Sequence, residues 1–203
     1  MIETVNFEDG GKLEIVQDEF AQSPRSEFDH VCTMVCFHSG YDLGDKDHGY
    51  NKNDYNNWEE LKEGILENEN VALILPLYLY DHSGLTISTE PFQCQWDSGQ
   101  IGWIFITKEK LAEFGKDLKT EDGVKILEEE VKEYDYYLRG DVYGYILTEP
   151  VEKCDKCGHI KVETDSCYGF YGTNIFENGM IDNIPEKYHE ELRKHYPEFV
   201  NAV

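Results

Sequence analysis

The stretch Val71–Tyr80, with the sequence VALILPLYLY, is the longest apolar run in the chain. Leucine occupies every second position from residue 73 to residue 79, and successive side chains of a strand point to opposite faces of a sheet. The run therefore predicts a strand. Pro76 within it predicts an edge position or a bulge, because proline has no N–H to donate to a neighbouring strand. The run is far shorter than the roughly 18 apolar residues of a membrane-spanning helix.

Further strand patterns lie on both sides of this run, with helical patterns between them. The other predicted strands are residues 2–7, 12–16, 31–38, 85–89, 100–106, 142–148 and 159–170. Helices are predicted after the N-cap residues Asn57 and Thr107, over residues 121–138 and from Pro185 onward. This order predicts an α+β fold with a mainly antiparallel sheet and three to four helices packed on it. We expect a single domain over residues 1–203, with a Cys-rich hairpin tip at residues 153–168.

The chain is strongly acidic, because 42 Asp and Glu residues face only 18 Lys and Arg residues, giving a formal net charge of -24. This excess argues against direct binding to nucleic acid or to an anionic membrane surface, since both attract basic proteins. It favours a basic protein partner. The first nine residues carry neither a basic region nor a hydrophobic signal core, which predicts a cytoplasmic protein. In the cytoplasm the six cysteines are expected to be thiols or metal ligands.

The predicted helix over residues 121–138 has one apolar stripe, and most of its remaining surface is acidic. Its charge density is about half that of duplex DNA, which carries about one charge per 1.7 Å. One interpretation is a nucleic-acid mimic that occupies a basic groove, and the alternative is an ordinary solvated surface. The predicted partner-binding residues are Glu128, Glu129, Glu130, Glu133 and Asp135. Candidates for additional charge are Asp42, Asp45, Asp47, Asp54, Glu59, Glu60 and Glu63.

A second motif, Cys154-Asp155-Lys156-Cys157-Gly158-His159, has the C-x-x-C spacing inside a predicted turn. Two thiolates at this spacing can share one zinc ion, which normally takes four ligands. The candidate zinc ligands are Cys154, Cys157, His159 and Cys167. Cys167 can join them only if the hairpin brings it back to the turn. The alternative is a hairpin tip with free thiols.

A third group of polar side chains lies where predicted strands end. The residues His38, Asp45, His82 and Asp97 are the candidate ligands and general base of a metal-dependent hydrolase that acts on a nucleotide or phosphate ester. The chain contains no nucleophile elbow, Walker loop or His-Glu-x-x-His motif. Turn formation explains many of these residues without any chemistry. A non-enzymatic role is therefore favoured, and an enzymatic one stays open.

Three segments, Pro76–Gly84, Trp96–Gly102 and Asp165–Gly172, together with Val35–His38 and Leu43–Asp45, carry a resemblance. They resemble a family of uncharacterised proteins encoded by bacteriophages and other bacterial mobile elements, over roughly residues 31–172. The resemblance implies no catalytic residues. It implies an accessory protein made inside an infected bacterium, where such proteins often counter host defences.

The function predicted from charge and resemblance together is an acidic accessory protein of the bacterial cytoplasm. It would bind and inhibit a basic host protein, such as a nuclease or another defence component. Two alternatives remain: the metal-dependent hydrolase, and a structural protein that joins a larger assembly through a zinc-binding Cys-rich tip or a Tyr-rich face.

Overall fold

The structure, a computed structural model, describes residues 3–27, 30–94, 96–115 and 119–200. The strands are β1 (Glu3–Asn6), β2 (Lys12–Gln17), β3 (Thr33–Cys36), β4 (Val71–Asp81), β5 (Leu85–Ser88), β6 (Ser98–Thr107), β7 (Val142–Lys153) and β8 (Ile160–Tyr171). The α-helices are α1 (Pro24–Glu27), α2 (Trp58–Asn68), α3 (Lys108–Phe114), α4 (Thr120–Arg139), α5 (His189–His195) and α6 (Pro197–Val200). Short 3-10 helices lie at Lys52–Asp54, Ile181–Asn183 and Glu186–Tyr188.

The chain divides into two compact units. The continuous unit contains the described residues of Gln22–Arg139, and the discontinuous unit contains those of Met1–Ala21 and Gly140–Val203. Each unit has its own four-stranded antiparallel sheet. The α+β class is therefore confirmed, although the strands form two sheets where the sequence predicts one. The single-domain interpretation stays a prediction.

The discontinuous unit has the strand order β1-β2-β7-β8. The strands β1 and β2 form a hairpin, with Asn6 opposite Lys12. The predicted C-terminal helix is divided, because a 3-10 turn at Glu186–Tyr188 precedes α5. Tyr188, Leu192 and Tyr196 are buried in the core against the sheet.

The continuous unit has the strand order β3-β6-β4-β5. At Pro76 the strand β4 pairs with Trp103 of β6, whereas β5 pairs with β4 only from Tyr78 onward. A register shift between Leu77 and Tyr78 follows directly. Proline thus occupies a position with one neighbouring strand, next to a bulge, as its missing N–H predicts.

The helices α2 and α4 cover opposite faces of this sheet. Leu61 of α2 belongs to the same hydrophobic cluster as Phe105 of β6. Leu127 of α4 belongs to the cluster of Ile104, the preceding residue of β6. Because successive side chains of a strand point to opposite faces, the two helices lie on opposite sides of the sheet. No helix within the described ranges combines the length and the apolar composition that crossing a membrane requires.

A buried ion cluster joins α1, α4 and the loop after β3. The side chain of Arg25 is 3% exposed. Its Nε and Nη2 donate hydrogen bonds to Asp45 at 2.8 and 2.9 Å, and its Nη1 donates to Glu130 at 2.6 Å. Asp45 also accepts a hydrogen bond from the backbone N–H of Met34. Desolvation lowers the pKa of Arg25, but the hydrogen bonds to Asp45 and Glu130 outweigh it and leave the pKa raised.

The backbone that presents Asp45 depends on the glycine before it. Gly44 has a φ of +73°, a conformation that other residues adopt at a cost. A Cβ at this position would lie 2.7 Å from the carbonyl oxygen of Met34. Glycine is therefore the residue that lets the loop turn and place the carboxylate on Arg25.

We predict that Arg25→Met destabilises the protein by about 3–5 kcal/mol, because it leaves two carboxylates buried without their cation. Urea unfolding followed by circular dichroism measures this. Lys132→Met on α4 is the control, since Lys132 pairs with Glu129 in an exposed position, and it should change stability little.

The triple variant Arg25→Met, Asp45→Asn, Glu130→Gln tests the physical reason. It removes the unpaired charges and should be more stable than Arg25→Met alone. An Arg25→Met protein as stable as the Lys132→Met protein would contradict the assignment of this cluster.

Candidate functional sites

Two of the five acidic residues predicted to bind a partner make hydrogen bonds within the continuous unit instead. Glu130 accepts hydrogen bonds from Arg25 and from the backbone N–H groups of Val31 and Cys32. Asp135 accepts a hydrogen bond from the backbone N–H of Ile87 at 2.8 Å. The side chains of Glu130 and Asp135 are each only 15% exposed. The prediction that these two carboxylates form an outer surface is therefore wrong, because partners within the protein already occupy their oxygens.

The other three residues differ among themselves. Glu133 is partly buried, and this burial, with a contribution from Glu130, raises its pKa. Glu128 and Glu129 are exposed, and Glu129 lies 3.6 Å from Lys132. A partner-binding role for Glu128 and Glu129 stays a prediction. The helix α4 thus presents a shorter and weaker anionic surface than its sequence indicates.

A second acidic surface lies on α2. Glu59, Glu63 and Glu67 recur at every fourth position and are all exposed, which places them in one row along the helix, with steps of about 6 Å. Lys62 pairs with Glu59 at 3.1 Å. Leu66 lies beside the row with 47% of its surface exposed. We call Glu59, Glu63, Leu66 and Glu67 the α2 row.

Glu59 lies in the first turn of α2, where the helix dipole favours a carboxylate, but Glu63 and Glu67 weaken the helix. Like charges four residues apart repel each other. The last turn of α2 contains no basic residue, and Glu67 lies there, next to the negative end of the helix dipole. Stability of the helix therefore explains Glu59 but not Glu63 or Glu67.

The strand-end polar residues meet at one edge of the sheet. Because β4 and β6 are antiparallel, the end of β4 and the start of β6 are adjacent, and Tyr80 pairs with Ser98. An open cleft of about 450 Å³ lies at this edge. The residues lining it include His38, Asp81, Trp96 and Asp97. His82 contacts this group, with its Nδ1 3.2 Å from Asp97 Oδ2.

The two histidines of this group have opposite hydrogen-bonding states. His38 Nδ1 accepts a hydrogen bond from the backbone N–H of Gly40, so the neutral ring carries its proton on Nε2. His82 directs Nδ1 at the Asp97 carboxylate, so Nδ1 carries the proton and Nε2 has the free lone pair. His38 can therefore donate a hydrogen bond from Nε2, and His82 can accept a proton on Nε2.

Aromatic side chains border the same cleft. The His38 ring stacks on Tyr41 with centroids 5.0 Å apart. A hydrogen bond to Asp81 raises the pKa of Tyr41. Trp96 is 96% exposed, an unusual position for the largest apolar side chain. The cleft thus combines proton-transfer groups with an aromatic surface, and neither Lys nor Arg is among the residues that line it.

Asp45, the fourth residue of the predicted catalytic set, does not line this cleft. It is held by Arg25, as described above, and its role is structural. Within the described ranges, no three His, Cys, Asp or Glu side chains lie close enough together to hold a metal ion. The predicted metal-dependent site therefore has no set of ligands in this part of the chain.

The predicted zinc ligands are also only partly brought together. Cys154 and Cys157 lie in the turn between β7 and β8, and both are exposed. Cys167 pairs with Tyr145 and lies seven residues beyond Ile160, roughly 23 Å along the strand from the turn. The prediction of Cys167 as a fourth ligand is therefore wrong, because an extended strand carries it away from the turn. His159 makes no third ligand in the described residues.

Comparisons with protein-family models, with curated proteins and with solved structures find no match to this chain.

Proposed function

We propose that this protein is an acidic accessory protein of the bacterial cytoplasm that binds and inhibits a basic host protein, such as a nuclease or another defence component. The α2 row is its partner-binding surface, and it resembles the charge pattern of a nucleic-acid strand. The observation that supports this proposal is a row of three exposed carboxylates on α2, of which Glu63 and Glu67 add negative charge toward the C-terminal end of the helix.

The α2 row is better suited to binding a basic groove of a protein than to binding dissolved cations. Exposed carboxylates attract a basic groove over a distance of about 8 Å at physiological salt, which accelerates encounter. Leu66 adds apolar surface between the charges, and burying it on contact with a groove lowers the free energy of the complex. Charge therefore provides speed and orientation, and the leucine contributes to the lifetime of the complex.

The total charge supports the same role. Acidic residues outnumber basic residues in both units, so the whole protein repels nucleic acid and attracts proteins that bind nucleic acid. An inhibitor of this kind excludes DNA or RNA from the groove that it occupies.

We predict that the variant Glu59→Gln, Glu63→Gln, Glu67→Gln loses its partner. Glutamine keeps the length and the helix propensity of glutamate, so that only the charge changes. The native protein, immobilised at low salt, captures basic proteins from a bacterial lysate, and the main captured protein is then purified. Stopped-flow mixing should show an association rate at least about 10-fold lower for the variant at low salt.

The matched control is Glu121→Gln, Glu128→Gln, Glu129→Gln, which removes the same number of charges from the exposed side of α4. It should bind and inhibit the partner nearly as the native protein does. If only the α4 variant lost partner binding, the binding surface would be on α4, on the opposite face of the sheet. Full inhibition by both variants would contradict charge-based recognition.

The pairing of His82 with Asp97 beside His38 supports a second candidate function, which is hydrolysis by general base catalysis. His82 would take a proton from water, and the Nε2–H of His38 would donate a hydrogen bond to the oxygen on which charge develops. The cleft has carboxylates and no lining cation, so a substrate that is neutral or cationic at the reacting group fits better than a phosphate ester.

We predict that any hydrolytic turnover falls about 10²–10⁴-fold in His82→Gln and in His38→Gln. The assay uses a panel of carboxylic esters, nucleoside phosphates and phosphodiesters, with EDTA in one series and magnesium or manganese in another. The control is His195→Gln, a change of a partly exposed histidine on α5. Turnover that depends on added metal, or that both variants retain, would contradict this second function.

A further inference from the structure

The hairpin of β7 and β8 ends in a turn that presents two thiols to solvent. Both Cys154 and Cys157 are exposed. The turn is closed by a hydrogen bond from the N–H of Cys154 to the carbonyl of His159, and by one from the N–H of Gly158 to the carbonyl of Cys154, each 2.8 Å long. Gly158 has a φ of +73°, which lets the chain turn after the second cysteine.

The two thiols stand at the C-x-x-C spacing, which allows two sulfurs of one turn to share a zinc ion. Cys32 and Cys36 are buried instead and have no access to a metal ion from solvent. The turn therefore holds two neighbouring sulfur ligands that a metal ion can reach.

One chain provides only half of the four ligands that a structural zinc ion takes. Cys167 lies far along β8, and no third His, Cys, Asp or Glu joins the pair within the described residues. A zinc ion bound here needs two more ligands from outside this turn.

Two features of the hairpin indicate that a second copy of the chain supplies them. Val151, Ile160 and Val162 lie near the turn and are each about half exposed, at 47%, 48% and 52%. Such β-branched side chains next to a turn form an apolar surface that is suited to contact with a partner. In addition, β8 is an edge strand of its sheet.

The local charge also favours contact between two copies at this hairpin. The chain as a whole has a net charge of -24, so two copies repel each other over most of their surface. Residues 151–163 are an exception, because their acidic and basic residues are equal in number. The acidic residues are Glu152, Asp155 and Glu163, and the basic residues are Lys153, Lys156 and Lys161. Two copies can therefore approach at this segment with the least repulsion.

We propose that Cys154 and Cys157 form half of a zinc site, and that the same two residues of a second copy complete it. A two-fold axis through the metal then makes the contact self-complementary, with the apolar residues of the two hairpins beside it. Each zinc ion replaces the thiol protons of four cysteines, so binding releases protons and strengthens as the pH rises. This inference uses no residue of the α2 row and does not depend on the proposed function.

The test is a zinc titration of the reduced, metal-free protein, followed by light scattering and metal analysis. We expect the molar mass to double as zinc reaches about one ion for every two chains, and EDTA should reverse the change. Cobalt in place of zinc should give the absorption of a tetrahedral site with four thiolates. Cys154→Ser with Cys157→Ser should remain monomeric at every zinc concentration.

The matched control is Cys94→Ser with Cys167→Ser, which removes two cysteines outside the turn and should dimerise as the native protein does. Ile160→Lys with Val162→Lys keeps all thiols and should weaken zinc-dependent dimerisation at least about tenfold, because it adds charge to the contact. Circular dichroism checks that each variant is folded. One zinc per chain without a change in mass, no zinc binding by the folded native protein, or a dimer that persists in EDTA would each overturn the proposal.

Discussion

The fold of the continuous unit depends on one buried guanidinium. Arg25 is nearly inaccessible, and within the described residues its guanidinium donates four hydrogen bonds, to Asp45, Glu130 and the carbonyl of Cys32. An isolated charge at this depth would be prohibitively costly, but each member of the cluster is paired and hydrogen-bonded. In a chain with so few basic residues, this use of a single arginine fixes the start of the unit, a long loop and α4 in one arrangement. Any surface that α2 or α4 presents depends on that arrangement.

The same cluster determines which carboxylates remain available to a partner. Glu130 is taken into the protein, and Asp135 is held by the backbone of β5, so that α4 keeps only part of its acidic character at its surface. On the other face of the sheet, α2 keeps Glu63 and Glu67 exposed, and no ion pair involves either of them in the described part of the chain. Because the sheet separates the two helices, their charges act as two surfaces. A single basic groove can therefore meet only one of the two surfaces.

Local patterns in the sequence were sufficient to predict most of the elements, whereas the sites needed contacts between distant residues. Asn57 and Thr107 cap α2 and α3 as predicted, because capping depends on residues three positions apart. The same helical spacing also indicates that one acidic residue of α4 is buried, which the prediction of a partner-binding surface did not use. Glu130 lies three positions after Leu127 and four before Tyr134, which places it on the buried side of α4.

Other features had no local signal. Nothing in the short helix α1 indicates that Arg25 would be buried, since its partners are 20 and 105 residues away. The contact of His82 with Asp97 depends on the pairing of β4 with β6, which a pattern of alternating residues does not specify. Cys167 shows the reverse error. Its type suggested a ligand, but its position on an extended strand excludes it.

The distribution of charge along the chain favours different segments for binding a cationic partner and for self-association. A protein with a net charge of -24 binds a cationic partner readily and binds itself poorly. Self-association therefore requires a segment where the charges cancel and a bond strong enough to hold it, and the β7–β8 turn has both a balanced set of charges and two thiols. Because these thiols belong to the discontinuous unit and the α2 row belongs to the continuous unit, a metal-linked pair would carry two intact acidic rows. Two linked rows raise the effective concentration of the second after the first has bound, provided that the partner offers two basic grooves at a matching distance.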